Sequence, residues 1–175
     1  MRNHSTVVIL EVLARFWNCR LWFSLFETSS PVAFKLAHIS DLHLEPPASP
    51  SFRELLSKRL IGHTNWRNHR RNQHHPATLN KLVRDLKDQS PDHTAITGDL
   101  INLALPAEFD NAANWLNRFG SPTGVSVVPG NHDAYVPGSC ERAVRGWGKY
   151  GTGHRVNGAA FPFIRHKQNV ALIGC

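Results

Sequence analysis

The stretch that decides the fold is HTAITGDL, residues 93–100, where a short apolar run ends in Gly98 and Asp99. Residues 93–97 predict a β-strand, and two more strands followed by polar clusters flank it along the chain. Residues 32–40 precede Asp41-Leu42-His43, and residues 125–128 precede the cluster Gly130-Asn131-His132-Asp133. Ligands of open α/β sheets bind beyond the carboxyl ends of strands. The three clusters therefore converge on one sheet edge if the strands are neighbours and parallel.

The segments between and after these strands have helical and strand patterns in alternation. A helix or two is predicted within residues 51–89, with interruptions near Gly62 and Pro76, and an amphipathic helix over residues 106–119. A glycine-rich, helical stretch follows up to about residue 149. Two last strands are predicted at residues 159–164 and 169–173, with a turn at 165–168. Strands that alternate with helices indicate an α/β fold.

The composition is that of a globular protein with a basic charge. The chain has 175 residues, 41% of them hydrophobic and 19% charged, which suits one domain and excludes a disordered or collagen-like chain. Its three cysteines form neither a disulfide framework nor a CxxC zinc site, so we expect a reducing, cytoplasmic location. The net charge of +7 favours polyanionic partners such as phosphates or nucleic acid.

The first 31 residues are predicted to be an extension, amphipathic or poorly ordered, ahead of a domain over residues 32–175. Residues 6–26 are rich in apolar side chains, but Glu11, Arg15 and Arg20 interrupt them, so no transmembrane segment of about 18 residues is predicted. On a helix, Glu11, Arg15 and Asn18 would share one polar face. This leaves two alternatives, a loosely packed extension or peripheral association with a membrane surface.

The residue types in the three clusters suit a metal site. In an extended segment Asp41 and His43 point the same way and can hold one cation. Asp99 follows a glycine that permits a tight turn, and its two oxygens could bridge two metals. Asn131 offers a neutral amide oxygen, and His132 could act as a general acid or an electrostatic clamp. Two such metals would activate a bridging water and neutralise a phosphate.

Each cluster alone has a plainer explanation. An Asp-x-His pair arises by chance, an aspartate after a strand is common, and Gly-Asn-His-Asp could be only a polar turn. Their occurrence in order, each after a predicted strand, favours the metal site.

Together, the motifs Asp41-x-His43, Gly98-Asp99 and Gly130-Asn131-His132-Asp133 resemble the first three signature blocks of the calcineurin-like metallophosphoesterases. The resemblance extends over about residues 34–175, and within the superfamily it is greatest to bacterial phosphodiesterases of the cyclic-nucleotide type. It implies a four-layer α/β/β/α sandwich around a binuclear centre of two divalent metal ions (Mn, Fe or Zn).

The resemblance also implies a role for each matched residue. Asp41 and His43 would bind the first metal, Asp99 would bridge both metals, and Asn131 would bind the second. His132 would protonate the leaving oxygen, with Asp133 supporting the turn or the neighbouring histidine. Many relatives carry an aspartate where this chain has Asn102, so Asn102 either orients His132 or caps the following loop.

The later histidine and the Gly-His-x-His block that complete the family's site are missing from this sequence. His154 and His166 have the wrong spacing and surroundings to replace them. We therefore expect an incomplete sandwich, an incomplete second metal site, and a truncated fragment with little or no phosphoesterase activity of its own.

Residues 53–75 form a basic insert between the first two blocks, with six Lys or Arg against one acid. One interpretation is an electropositive cap in which Arg67, Arg70 and Arg71 steer phosphorylated substrates toward the metal edge, and the other is a solvated amphipathic helix. The leading hypothesis is a metal-dependent hydrolase of phosphoesters, most simply phosphodiesters, acting on a phosphorylated small molecule or nucleotide. The alternative is a non-catalytic basic module that binds nucleic acid or nucleotides. The sequence leaves the oligomeric state open.

Overall fold

The computed structural model describes residues 33–45, 76–155 and 158–175, and the backbone of residues 6–10. Seven strands lie in the described ranges: β1 (Thr6–Leu10), β2 (Leu36–Ile39), β3 (His93–Thr97), β4 (Val125–Val128), β5 (His154–Arg155), β6 (Phe163–Lys167) and β7 (Val170–Gly174). The helices there are α1 (Pro76–Asp88), α2 (Pro106–Phe119) and α3 (Ser139–Trp147), and a 3-10 turn at Gly148–Gly151 follows α3.

The first sheet consists of β2, β3 and β4, with β3 in the middle. Both pairings are parallel, with Ile39 opposite Ile96 and Thr97 opposite Val128. Every residue of β3 and β4 is buried, as expected for a parallel sheet that is covered on both faces. The condition for convergence of the three clusters, that their strands are neighbours and parallel, is met, and the carboxyl ends of the strands lie side by side.

Helices α2 and α3 cover this sheet with an apolar core. Leu116 of α2 is fully buried, and Phe109 stacks on Trp147 of α3 with ring centroids 5.5 Å apart. Pro106 occupies the start of α2, where its missing N–H costs no hydrogen bond. α2 has the predicted bounds. Pro76, where an interruption was predicted, begins α1, because a proline is well tolerated in the first turn of a helix.

The second sheet has the order β1, β7, β6 and β5, and β7 contacts β4 of the first sheet. β6 and β7 form an antiparallel hairpin whose turn lies at Gln168 and Asn169. The sequence predicted that turn three residues earlier, at residues 165–168, which is wrong. Arg165 is instead buried within β6, where its guanidinium donates to the carbonyls of Val125 and Thr152, at 2.8 and 2.9 Å.

The N-terminal segment differs from the expected extension where it is described. Residues Thr6–Leu10 form β1, which pairs in parallel with β7 over its whole length, from Thr6 opposite Val170 to Leu10 opposite Gly174. These five residues therefore belong to a sheet and are not part of an amphipathic helix. Four of these five residues are β-branched, which favours a strand. The helical spacing of the polar residues that follow obscured this preference. Residues 11–32, with the predicted polar face, lie outside the described residues.

The described part of the chain is thus a mixed α/β structure with one parallel sheet, as predicted. The four-layer sandwich, its incompleteness and the boundary at residue 32 stay predictions. Within the described ranges, no helix is long and apolar enough to cross a membrane.

Candidate metal centre

The candidate site lies at the carboxyl edge of the parallel sheet, in the three loops that follow β2, β3 and β4. Beyond the strands, the first two loops remain hydrogen-bonded to each other. The backbone N–H of His43 donates to Asp99 O at 2.9 Å, and that of Leu44 donates to Leu100 O at 2.8 Å. The register of the sheet therefore carries on into the loops and fixes their relative position.

Three side chains from these loops meet in one cluster. His43, Asp99 and His132 each offer a ligand atom, and these atoms all lie within 4.8 Å of one another. His43 and Asp99 are 8% exposed and His132 is half-buried, so the cluster has an open side. The imidazole rings of His43 and His132 meet edge to face, with centroids 4.9 Å apart. Two imidazoles and a carboxylate form a donor set that suits a divalent transition metal.

Both histidines are held through the same ring nitrogen. His43 Nδ1 lies 3.3 Å from Ile101 O, and His132 Nδ1 lies 2.7 Å from Asn102 O. A carbonyl oxygen only accepts hydrogen bonds, so Nδ1 carries the proton in each ring. In a neutral ring of this tautomer the lone pair is on Nε2, which is the nitrogen that can bind a metal ion or take part in a proton transfer.

Asp99 reaches the cluster through an unusual turn. Gly98 and Asp99 both have a left-handed backbone, with φ of 76° and 52°. Gly130 of the third loop packs directly against this turn, since a Cβ on Gly130 would lie 2.6 Å from Asp99 N. The Asp99 carboxylate also accepts the backbone N–H of His132, at 2.8 Å. The second and third loops are therefore locked together at the carboxylate.

Comparison with known proteins identifies the type of domain that carries this site. The family model of calcineurin-like phosphoesterases matches residues 34–170. The chain belongs to the calcineurin-like phosphoesterase family. No curated protein and no solved structure matches the chain. The sequence resemblance is thus confirmed at the level of the family, and the cluster of His43, Asp99 and His132 is a possible metal site in a member of it.

Two other predicted ligands lie at exposed positions of the first and third loops. Asp41 and Asn131 are exposed, and the Asp41 carboxylate is not among the grouped ligand atoms. We expected Asp41 and His43 to point the same way because they would lie in an extended segment. Their φ values of 55° and 42° are left-handed, so the alternation of a strand does not apply to them. Metal binding by Asp41 and Asn131 stays a prediction.

Asp133 supports the third loop from beneath. Its side chain is fully buried and accepts the N–H of Gly130 at 2.8 Å and that of Ile101 at 3.2 Å. Burial raises the pKa of Asp133 to about 6, and the hydrogen bonds from Gly130 and Ile101 oppose the rise. Of its two expected roles, the hydrogen bonds match support of the turn.

Asn102 contacts His132 through its backbone. The carbonyl of Asn102 holds His132 Nδ1, while the side-chain amide donates to Leu44 O at 2.8 Å. The side chain thus ties the second loop to the first.

Sequence reasoning missed two residues at this site and the packing role of a third. Glu108 of α2 binds the backbone of the second loop, Tyr135 stacks on His132 with centroids 5.8 Å apart, and Gly130 makes room for Asp99. A glutamate three residues after a predicted helix boundary was a usable signal for Glu108. No local pattern signals the other two, because both contacts join residues that the fold alone brings together. The proposed steering residues Arg67, Arg70 and Arg71 lie outside the described residues.

Proposed function

We propose that this phosphoesterase is a metal-dependent hydrolase of phosphodiesters, with His43 and Asp99 as metal ligands and His132 as the general acid. The observation that carries the proposal is the convergence of these three side chains within 4.8 Å at the open edge of a parallel sheet. When bound, divalent metal ions would supply Lewis-acid activation of water and neutralise phosphate charge.

The protein's own groups have distinct tasks in this proposal. His43 and Asp99 bring one nitrogen and a carboxylate to the same point from two loops that are hydrogen-bonded to each other. His132 keeps its Nδ1 proton on Asn102 O, so a second proton on Nε2 can be donated to the leaving oxygen of the substrate. The hydrogen bond from the backbone N–H of His132 to the Asp99 carboxylate keeps the general acid, His132, beside that carboxylate.

We also propose a second metal ion, held by Asp99 and Asn131. Asp99 has two carboxylate oxygens, and Asn131 lies on the same loop as His132. The exposed position of Asn131 leaves it accessible to an ion at the mouth of the site. The preference for phosphodiesters over other phosphoesters rests on the resemblance of the motifs.

The proposal is tested by hydrolysis of bis-p-nitrophenyl phosphate with added Mn²⁺. We expect slow turnover that disappears on chelation of the metal and in Asp99→Asn. Asp110→Asn is the matched control because it makes the same chemical change at an exposed position of α2. Turnover that survives in Asp99→Asn, or a wild-type chain that neither hydrolyses the diester nor binds Mn²⁺, would contradict the proposed function.

The role of His132 is tested by the choice of leaving group. A diester with a phenolate leaving group needs protonation more than one with p-nitrophenolate, because phenolate is the stronger base. His132→Gln should therefore slow the phenyl diester by about 10²-fold or more and the p-nitrophenyl diester much less. An equal loss on both substrates would contradict the assignment of His132 as the acid.

A further inference from the structure

The loop between β3 and α2, residues 98–105, is held from the helix side by one buried carboxylate. Glu108 is 2% exposed and accepts hydrogen bonds from the backbone N–H groups of Asn102 at 3.1 Å, Leu103 at 3.0 Å and Leu105 at 2.8 Å. Buried carboxylates are costly unless they are hydrogen-bonded in this way. The loop backbone is therefore built around Glu108.

The other side of the same loop faces the two histidines of the site. The consecutive carbonyls of Ile101 and Asn102 hold Nδ1 of His43 and Nδ1 of His132. Asn102 thus donates its backbone N–H to Glu108 and accepts a hydrogen bond from His132 at its backbone carbonyl. Any movement of the Asn102 peptide away from Glu108 also moves the acceptor of His132.

The loop needs this support because part of its backbone has an unfavourable conformation. Ala104 has a left-handed backbone with φ of 54°, which is unfavourable for a residue with a Cβ. The hydrogen bonds of Glu108 to Leu103 and Leu105 lie on either side of Ala104 and hold it in that conformation. Asp133 adds a further hydrogen bond to Ile101 N at 3.2 Å.

We propose that Glu108 is a positioning residue that sets the tautomer of His132, by holding the Asn102 peptide so that its carbonyl accepts the Nδ1 proton. The consequence for catalysis rests on the proposed function, whereas the tautomer itself does not. The hydrogen bonds of Glu108 go to the loop backbone and to none of the three ligand atoms of the cluster, so it acts through the loop. Its replacement frees the Asn102 carbonyl to move and lets the His132 proton occupy either nitrogen.

The test is the ¹⁵N spectrum of the histidine rings in the whole, metal-free chain, with His132 assigned from the signals lost in His132→Gln. The wild type is expected to give the single Nδ1–H tautomer for His132. In Glu108→Gln, an amide N–H₂ replaces one acceptor oxygen and faces backbone N–H groups, so we expect a mixture of the two tautomers. Asp110→Asn, the same change on the exposed side of α2, should leave the wild-type spectrum.

A second readout is the affinity for Mn²⁺, which should fall about tenfold in Glu108→Gln because supports of this kind contribute that much to metal binding. If Glu108→Gln does not fold, Glu108→Asp withdraws the carboxylate by one methylene and should give the same mixture. A wild type without the single Nδ1–H tautomer, or a folded Glu108 variant that retains it, overturns the inference. Absence of both metal-dependent hydrolysis and Mn²⁺ binding in the wild type, with the tautomer change present, overturns the proposed function and leaves the positioning role intact.

Discussion

Gly130 is the residue whose size matters most for the position of Asp99. A Cβ at residue 130 would lie 2.6 Å from Asp99 N, closer than such atoms approach in folded proteins, and 3.0 Å from Asp99 Cγ. Gly130→Ala should therefore displace the Asp99 carboxylate and lower Mn²⁺ affinity by about tenfold or more while the fold persists. Calorimetric titration of the folded variant checks the expectation.

Gly146→Ala is the control for that substitution. Gly146 lies in α3, and a Cβ there meets nothing within 4 Å. This change should leave Mn²⁺ affinity unaltered and stabilise the helix by about 0.5–1 kcal/mol. If Gly130→Ala bound Mn²⁺ as tightly as Gly146→Ala, the close approach would have no part in the site.

His93 makes the stability of the protein depend on pH. Burial lowers the pKa of His93 to about 4, helped by the positive charges of Arg165 and Lys167. The unfolded chain protonates this imidazole near pH 6.5, so between about pH 6.5 and 4 the unfolded state binds more protons. The contribution of His93 is complete above pH 6.5 and is lost as the pH falls toward 4, with a magnitude of about 1–3 kcal/mol.

Urea unfolding at a series of pH values measures this effect, with His93→Asn as the comparison. The variant lacks the titrating ring, so the difference between the two unfolding free energies should shrink steadily from pH 7 to pH 4. Subtraction of the variant removes the contributions of other groups, including the carboxylates. A difference independent of pH would show that His93 does not titrate between these limits.

At the scale of elements, Arg165 of β6 joins the second sheet to the edge of the first. Its guanidinium donates to Pro122 O and Val125 O at 2.8 Å each and to Thr152 O at 2.9 Å. Lysine has one compact ammonium and cannot satisfy acceptors in several directions. Arg165→Lys should lower the free energy of unfolding by about 2–4 kcal/mol in urea titration. Arg145→Lys, the matched control at an exposed position of α3, should change the free energy of unfolding by less than about 0.5 kcal/mol. Equal effects of the two substitutions would show that Arg165 does not join the sheets.

The elements that the sequence predicts best are those whose hydrophobic pattern agrees with their tertiary role. β3, α2 and β4 have the predicted bounds: the buried residues of α2 recur at helical spacing, and β3 and β4 are short segments buried along their whole length. The hairpin of β6 and β7 was placed wrongly since the run of Arg165, His166 and Lys167 has the composition of a turn. A buried arginine with carbonyl partners is invisible to such a pattern, and so is the parallel pairing of Thr6–Leu10 with a strand more than 150 residues away.

At the scale of the whole molecule, the order of the three clusters and the parallel sheet bring His43, Asp99 and His132 together. This much follows from the sequence, because parallel neighbouring strands end at one edge. The support of the site does not follow from it. Glu108 and Asp133 bind backbone N–H groups of loops whose left-handed residues only the folded chain specifies. The sequence therefore predicts the residues that converge at the site, but not the hydrogen bonds that hold their loops in place.

We propose that the three loops bind a divalent metal ion through His43 and Asp99, with His132 beside it. The most direct test of this proposal is the titration of the chain with Mn²⁺, followed by the electron paramagnetic resonance signal of free Mn²⁺. We predict one tightly bound Mn²⁺ per chain in the wild type and in Asp110→Asn, and at least about a hundredfold weaker binding in Asp99→Asn. Equal binding by Asp99→Asn and the wild type, or no binding by the wild type, would contradict it.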